Sequence, residues 1–357
     1  MKTGILGLPG SGKSTLFDLL TEGTGAPDPA HPPNKPRLRS VKVHDQRLER
    51  LREDFQPKKY VPASLEVLDF PAVEGGERDR AGLADLLAPA REMDTLILVV
   101  RDFTHPAVPD GDKVDPVRDF QHVMGELVLS DLVIIERRLE KLAEKSRKPI
   151  FSEEERNERT LLGQVKARLE KGDLGVFAEM HLEDRKRLSG FGFLSPKSHV
   201  TVLNGETGTV PDDLLCALRN ASGGEVLVVA ARSELEILQL PEADRAVFLE
   251  EYGIKEFMRD PLIRAVYRAA GRISFFTAME KKEVHAWTIR DGDTALQAAG
   301  TVHSDFERGF IRAEVVAYDD YVKYGGVKGA KEKGHYRLEG REYIVKDADI
   351  IEFRFSV

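Results

Sequence analysis

The sequence predicts an α/β protein: a doubly wound parallel sheet, interrupted by an α-helical hairpin and followed by a smaller α+β domain. Three observations carry that reading. A glycine-rich string, Gly7-Leu8-Pro9-Gly10-Ser11-Gly12-Lys13-Ser14, stands between an apolar strand pattern at residues 2–6 and a helical pattern at 14–20. Apolar runs of strand length recur at residues 65–69, 95–100, 199–203 and 225–230, with helical patterns between several of them, as a parallel sheet with crossover helices requires. From residue 115 to about 148 the period is helical alone.

Taken in order, residues 22–38 hold Gly23, Gly25, Pro27, Pro29, Pro32, Pro33 and Pro36 and read as loop. Residues 96–100 are Leu-Ile-Leu-Val-Val, a run suited to a strand buried on both faces. In the helical stretch Leu132, Ile135, Leu139 and Leu142 share one face. Ser152-x-x-Glu155 is a capping box opening a second helix, with Leu162, Val165 and Leu169 as its stripe and Gly172 as its stop. Two antiparallel helices joined near Pro149 make the inserted hairpin. Its outer face carries Arg137, Arg138, Lys141, Lys145, Arg147, Lys148, Lys166, Arg168 and Lys171 among many glutamates, and such a mixed face is first of all a solvated one. Beyond residue 270, β-rich runs at 282–289, 311–316, 343–345 and 350–355 are punctuated by glycines, the texture of a small α+β domain.

Composition narrows the class. The 357 residues include 53 Lys and Arg against 61 Asp and Glu, a net charge of −8. That balance argues against wholesale coating of nucleic acid and leaves a local basic face open. The single cysteine, Cys216, excludes an internal disulfide framework and a Cys-rich zinc site, and no disulfide-linked partner is expected. No apolar run approaches the ~18 residues of a membrane span, so no membrane partner is expected. Turn residues and Lys13 interrupt the N-terminal apolar run, which does not read as a signal peptide. The expectation is a soluble protein of the reducing cytoplasm.

The glycine string is a complete phosphate loop. Its backbone amides converge on phosphate oxygens and the following helix aims its positive end there. Gly10, Ser11, Gly12, Lys13, Ser14 and Thr15 are therefore the expected nucleotide contacts, with Lys13 on the β- and γ-phosphates and the Ser14 hydroxyl on Mg²⁺. Asp69, ending an apolar strand, is the second expected Mg²⁺ residue, acting through water. In GTPases this aspartate opens Asp-x-x-Gly; here the string is Asp69-Phe70-Pro71-Ala72. Val73 stands where a water-positioning Gln is expected, and no threonine lies between Thr24 and Thr95. The guanine-reading Asn-Lys-x-Asp is missing, since Asn34-Lys35 runs into Pro36-Arg37. Asn204 and Glu206 either line a base pocket or form a plain turn.

Together these features resemble the YchF/Obg-like ATPase family of the TRAFAC class of P-loop GTPases. The likeness is carried by the loop through Thr15-Leu16-Phe17, by Val114-Asp115-Pro116-Val117-Arg118-Asp119, and by Gly125-Glu126-Leu127 with Ser130-Asp131-Leu132. Ala286-Trp287-Thr288-Ile289, Gln297-Ala298-Ala299-Gly300, residues 303–314 and Tyr343-Ile344-Val345-Lys346-Asp347 carry it through the C-terminus. The resemblance implies a G domain at 1–113 and 197–272, a helical insertion at 114–196, and a TGS domain of ubiquitin-like β-grasp fold at 273–357. It implies a cytoplasmic NTPase bound to the ribosome or structured RNA, using Mg²⁺ with ATP or GTP and hydrolysing slowly. ATP is favoured in the family through Asn-x-x-Glu, and a loop histidine activates water. Here Leu203 falls at the asparagine of that motif while Glu206 is kept, and Pro109 falls at the histidine, leaving His105 as the catalytic candidate. The alternative is a nucleotide- and ribosome- or RNA-binding module with little or no hydrolysis. A P-loop metabolite kinase would have no place for the C-terminal stretch. His285 and His303 receive neither a metal nor a catalytic role.

Overall fold

The computed structural model describes residues 1–23, 36–72, 80–104, 114–146, 151–279 and 282–356. Its strands are β1 (Lys2–Gly7), β2 (Arg37–Lys42), β3 (Lys59–Val61), β4 (Ser64–Asp69), β5 (Thr95–Asp102), β6 (His199–Gly205), β7 (Glu225–Val229), β8 (Arg272–Met279), β9 (Glu283–Arg290), β10 (Phe310–Val316), β11 (Arg337–Glu339) and β12 (Ile350–Phe355). They form two six-stranded sheets, and the chain divides into two compact units. No described helix is long and apolar enough to cross a membrane.

The smaller unit comprises Met1, Ser40–Leu65 and Ile263–Val357. Its sheet runs β11-β10-β12-β8-β9-β3. β8 and β9 pair antiparallel, as do β10 and β12, while β12 lies parallel to β8. The helix Ala295–Val302 opens on a capping box between Thr294 and Gln297. It presents Ala295, Ala298 and Ala299, all fully buried, to Phe275, Ile289, Phe310 and Phe353; residues this small let the helix close on the sheet. The β8–β9 hairpin and the β10–β12 pair, joined in parallel with this helix packed on them, form a mixed α+β sheet domain, as expected for the C-terminus. His303 caps the next helix, Ser304–Arg308, by accepting the Asp305 N–H at 3.1 Å. The sequence assigns residues 1–113 to the first domain, but this unit takes Ser40–Leu65 from that span. The cause is backbone pairing: Lys59, Tyr60 and Val61 lie in parallel register with Glu283, Val284 and His285. A three-residue strand carries too little periodicity to be read from sequence.

The larger unit, Lys2–Arg39 with Glu66–Leu262, is built on the sheet β2-β4-β1-β5-β6-β7. β2 begins at Arg37, inside the stretch read as loop. β1 pairs in parallel with β4 and with β5, β5 with β6, and β6 with β7. Every residue from Thr95 to Arg101 is buried, as the apolar run of β5 requires. Because successive strands are added on opposite sides of β1, the carboxyl ends of β1 and β5 flank the crevice where open α/β sheets bind ligands.

The inserted helices are Pro116–Lys145 and Glu153–Leu169. Asp115 caps the first through the Arg118 N–H, with Pro116 at the first helical position. The Asp119 carboxylate of the same string takes Arg118 at 2.9 Å and faces Arg101 at 3.5 Å. The Ser152–Glu155 capping box forms in full, and Gly172 stops the second helix at φ 72°. Leu132, Ile135 and Leu142 pack against Leu162, Val165 and Leu169. The basic face is largely self-neutralised. Arg138 pairs with Glu158, Lys145 with Glu155, Lys166 with Glu136, and Arg168 with Asp173 and Glu179. Arg147, Lys148 and Pro149 lie outside the described residues.

One buried carboxylate fastens the first of these helices to the segments that lead into β5 and β6. Asp131, wholly inaccessible, accepts the Leu194 N–H at 3.0 Å, the Ser195 N–H and hydroxyl at 2.8 Å, and Arg91 Nη1 at 2.7 Å. Arg91 Nη2 reaches Ser130 Oγ at 2.7 Å. Removing the acid leaves a largely buried guanidinium and two amides without their acceptor. Asp131→Ala is therefore expected to cost roughly 3–5 kcal/mol, measured by urea unfolding. A loss below about 1 kcal/mol would show that this network does not hold the hairpin.

Candidate functional site

β1 ends at Gly7 and the helix Lys13–Leu20 follows, so the phosphate string is the turn between them. Gly10 and Gly12 adopt φ 69° and 85°, left-handed backbone that strains other residues. Gly12 is constrained twice, because a Cβ there would lie 2.1 Å from Asn204 Nδ2. The first helical bond runs from the Leu16 N–H to the Gly12 carbonyl at 2.9 Å. The amides of Lys13, Ser14 and Thr15 precede it and have no acceptor within the helix, the arrangement that receives anions.

Lys13 folds back over this turn, its ammonium donating to the Leu8 carbonyl at 2.9 Å. Burial lowers its pKa to about 8, partly offset by the charge of Asp69. A cation held in so little water favours an anionic ligand strongly.

Asp69 closes β4 and is 6% exposed. Its Oδ2 accepts Ser14 Oγ at 3.0 Å, Arg37 Nε at 3.1 Å and Arg37 Nη2 at 2.7 Å. Its Oδ1 is buried with no hydrogen-bond partner among the described residues. Arg37 also reaches Asp18 Oδ1 at 3.3 Å, with its guanidinium 4.6 Å over the Phe17 ring. Burial raises the Asp18 pKa; Arg37 opposes the rise and Asp69 adds to it.

Asn204 is a buried residue near the end of strand β6. Its Nδ2 donates to the Ser11 carbonyl at 3.0 Å and its Oδ1 accepts the Ala231 N–H at 3.2 Å. Leu203, expected at the family's asparagine position, is instead fully buried in the core, so the strand's alternation turns Asn204 to the phosphate loop. Glu206 is exposed just past the strand, its carbonyl accepting Ser233 Oγ at 2.9 Å. Ala72 is half-buried. His105, Pro109, Val73, Asn34 and Lys35 lie outside the described residues. Among the described residues no group of three or more His, Cys, Asp or Glu side chains is set to hold a metal.

Sequence reasoning did not find Arg37, Asp18 or Ala231. Asp18 had a signal, standing four residues after Ser14 on the same helix face. Arg37 had none, being one arginine after a proline-rich stretch.

A lysine-bearing glycine turn at this end of the first strand, on a parallel sheet, defines the P-loop nucleotide-binding class. The chain is 38% identical over its full length to the Bacillus subtilis protein named ribosome-binding ATPase YchF, all of which it covers. It is 35% identical to the Haemophilus influenzae protein of the same name, over 100% of this chain and 99% of the relative. The solved structure of the Schizosaccharomyces pombe YchF GTPase matches with a TM-score of 0.79 at 25% identity, over 99% of this chain and 97% of that one. A family model named for the C-terminal part of YchF GTPases, described as a protein of unknown function (DUF933), matches residues 272–356. The chain belongs to the YchF family.

Two outcomes are expected from this geometry. Asn204→Ala leaves the Ser11 carbonyl and the Ala231 amide unpaired and should cost about 1–3 kcal/mol in denaturant unfolding. Glu234, on the adjoining helix Ala231–Leu238, is fully buried; one oxygen accepts the Met258 N–H at 2.7 Å and the other is unpaired. Burial raises its pKa to about 7. The folded state thus keeps a proton that the unfolded chain releases at lower pH. Stability should fall as pH rises from the ordinary carboxylate range towards 7, by about 3 kcal/mol in all. Glu234→Gln should remove that decline in thermal unfolding between pH 5 and 8.

Proposed function

We propose that the chain binds ATP with Mg²⁺ and hydrolyses it slowly, as a nucleotide-dependent switch on the ribosome in the cytoplasm. The observation that carries this is the gathering of Lys13, Ser14 and Asp69 around the phosphate turn at the sheet's crevice. In this reading the amides of Gly10 to Thr15 cradle the phosphates, Lys13 holds the β- and γ-phosphates, and Asn204 braces the loop beneath the base. Ser14 and Asp69 fit Mg²⁺, which takes oxygen donors: the hydroxyl lies 3.0 Å from one carboxylate oxygen, and the other is buried without a partner. Bound there, the ion would neutralise charge on the phosphate oxygens. His105 remains the water-activating candidate on its sequence position alone.

ATP is preferred because, among the described residues, no carboxylate is set to accept both guanine donors. The Asn204 amide is committed at both ends, and Glu206 lies outside the strand. Two bacterial relatives named as ribosome-binding ATPases support both the nucleotide and the partner. We assign residues 114–196 as a helical insertion and the C-terminal sheet as a TGS domain. Ala72 and the lack of a switch threonine favour the second reading, a nucleotide- and ribosome-binding module with little turnover.

Titration with labelled ATP and GTP, then single-turnover hydrolysis on the same sample, separates the two readings. Lys13→Ala should weaken ATP binding ten- to a hundredfold, the loss of a charge-assisted contact of about 1.5–3 kcal/mol. Equal affinity in a folded variant would remove Lys13 from the site. GTP preferred by more than about a hundredfold would place Glu206 on guanine. Co-sedimentation with ribosomes tests the partner.

A further inference from the structure

The positive group resting on Asp69 and Ser14 is a side chain of the protein itself. Arg37 places two N–H groups on Asp69 Oδ2, at 3.1 and 2.7 Å, and Nη2 lies 3.5 Å from the Ser14 carbonyl. Ser14 Oγ donates to that same carboxylate oxygen at 3.0 Å. Both arginine contacts converge on one oxygen, leaving Oδ1 buried and unpaired. The fork-to-fork geometry that saturates a carboxylate is therefore not made, and the pair keeps unused capacity for a cation. Arg37 also has a second seat. Nη1 lies 3.3 Å from Asp18 Oδ1, and the guanidinium stacks 4.6 Å over Phe17. Both lie on the helix Lys13–Leu20.

We propose that Arg37 is an internal counter-ion of the Mg²⁺ position: the guanidinium and the divalent ion compete for Asp69 and Ser14. This rests on the reading of the site as one for Mg²⁺ and a nucleoside triphosphate, and goes beyond it. A dication held by Ser14 and, through water, by Asp69 would repel a guanidinium resting on that carboxylate, and in so buried a site the repulsion is poorly screened. Arrival of the ion drives Arg37 off Asp69 towards Asp18 and the Phe17 ring. Arg37 is the first residue of β2, and because it already touches Asp18 and Phe17 the exchange needs only a side-chain adjustment.

The test is binding of a fluorescent ATP analogue, mant-ATP, as free Mg²⁺ is varied, for wild type, Arg37→Gln and Arg37→Lys. Arg37→Gln removes the competing charge, so the half-saturating Mg²⁺ concentration should fall roughly tenfold, the value of one modest charge-assisted contact. Arg37→Lys keeps the charge but cannot place two N–H groups on one oxygen, so its midpoint should fall by less. An unchanged or higher midpoint in folded Arg37→Gln overturns the proposal. If that variant does not fold, the same criterion applies to Arg37→Lys. Wild type that binds mant-ATP with a Mg²⁺ midpoint indifferent to Arg37 overturns this inference alone. Wild type that fails to bind at any Mg²⁺ concentration overturns the nucleotide-site reading and this inference together.

Discussion

The phosphate loop is braced from outside by a side-chain amide 193 residues away. Asn204 takes the Ser11 carbonyl at one end and gives an acceptor to the Ala231 amide at the other. A loop that offers N–H groups to a polyanion must turn its carbonyls elsewhere, because an exposed oxygen in the cradle would repel the ligand. Asn204 receives one of them, and the amide so occupied leaves no room above Gly12 for a Cβ. The register of β6 makes this possible. Leu203 is drawn into the core beside Leu98 and Val100, and a one-residue slip would exchange it with Asn204 and expose the strand's apolar set.

Around that loop the charges are nearly balanced. Lys13 and Arg37 are the cations, Asp18 and Asp69 the anions, and burial is the largest influence on both Lys13 and Asp18. A balanced cluster in little water is settled yet sensitive, since any added charge must be answered by a rearrangement. The hairpin shows the opposite regime. Its pairs, such as Arg138 with Glu158 and Lys166 with Glu136, are partly exposed, and exposed pairs contribute at most about 1 kcal/mol each. They keep the helices soluble and aligned, while Asp131 with Arg91, both largely buried, locates them.

Legibility followed locality. The phosphate loop could be read because its chemistry sits in eight consecutive residues, and the Ser152–Glu155 cap because both partners lie within one helical turn. The β5 run declared its two-sided burial in composition alone. Asn204 was half visible: its residue type suited the site, but whether Leu203 or Asn204 faced the loop depends on a strand register fixed by packing. Arg37 was invisible, because its meaning comes from Asp69 and Asp18, on two other elements. β3 was hidden for the same reason, three unremarkable residues whose partners lie 224 positions further on.

That last separation has a consequence for synthesis. At about 5–20 residues per second a ribosome needs roughly 11–45 s to go from Lys59 to its partner Glu283. Through that interval the helix Gln46–Phe55, whose Leu48 and Leu51 end up fully buried, waits without the sheet that β3 will join. The segment is made early and housed late. A nascent chain of this protein therefore carries a helix whose two core leucines lack their sheet through most of its own translation, and a stall before residue 283 leaves it open to chaperones or proteases.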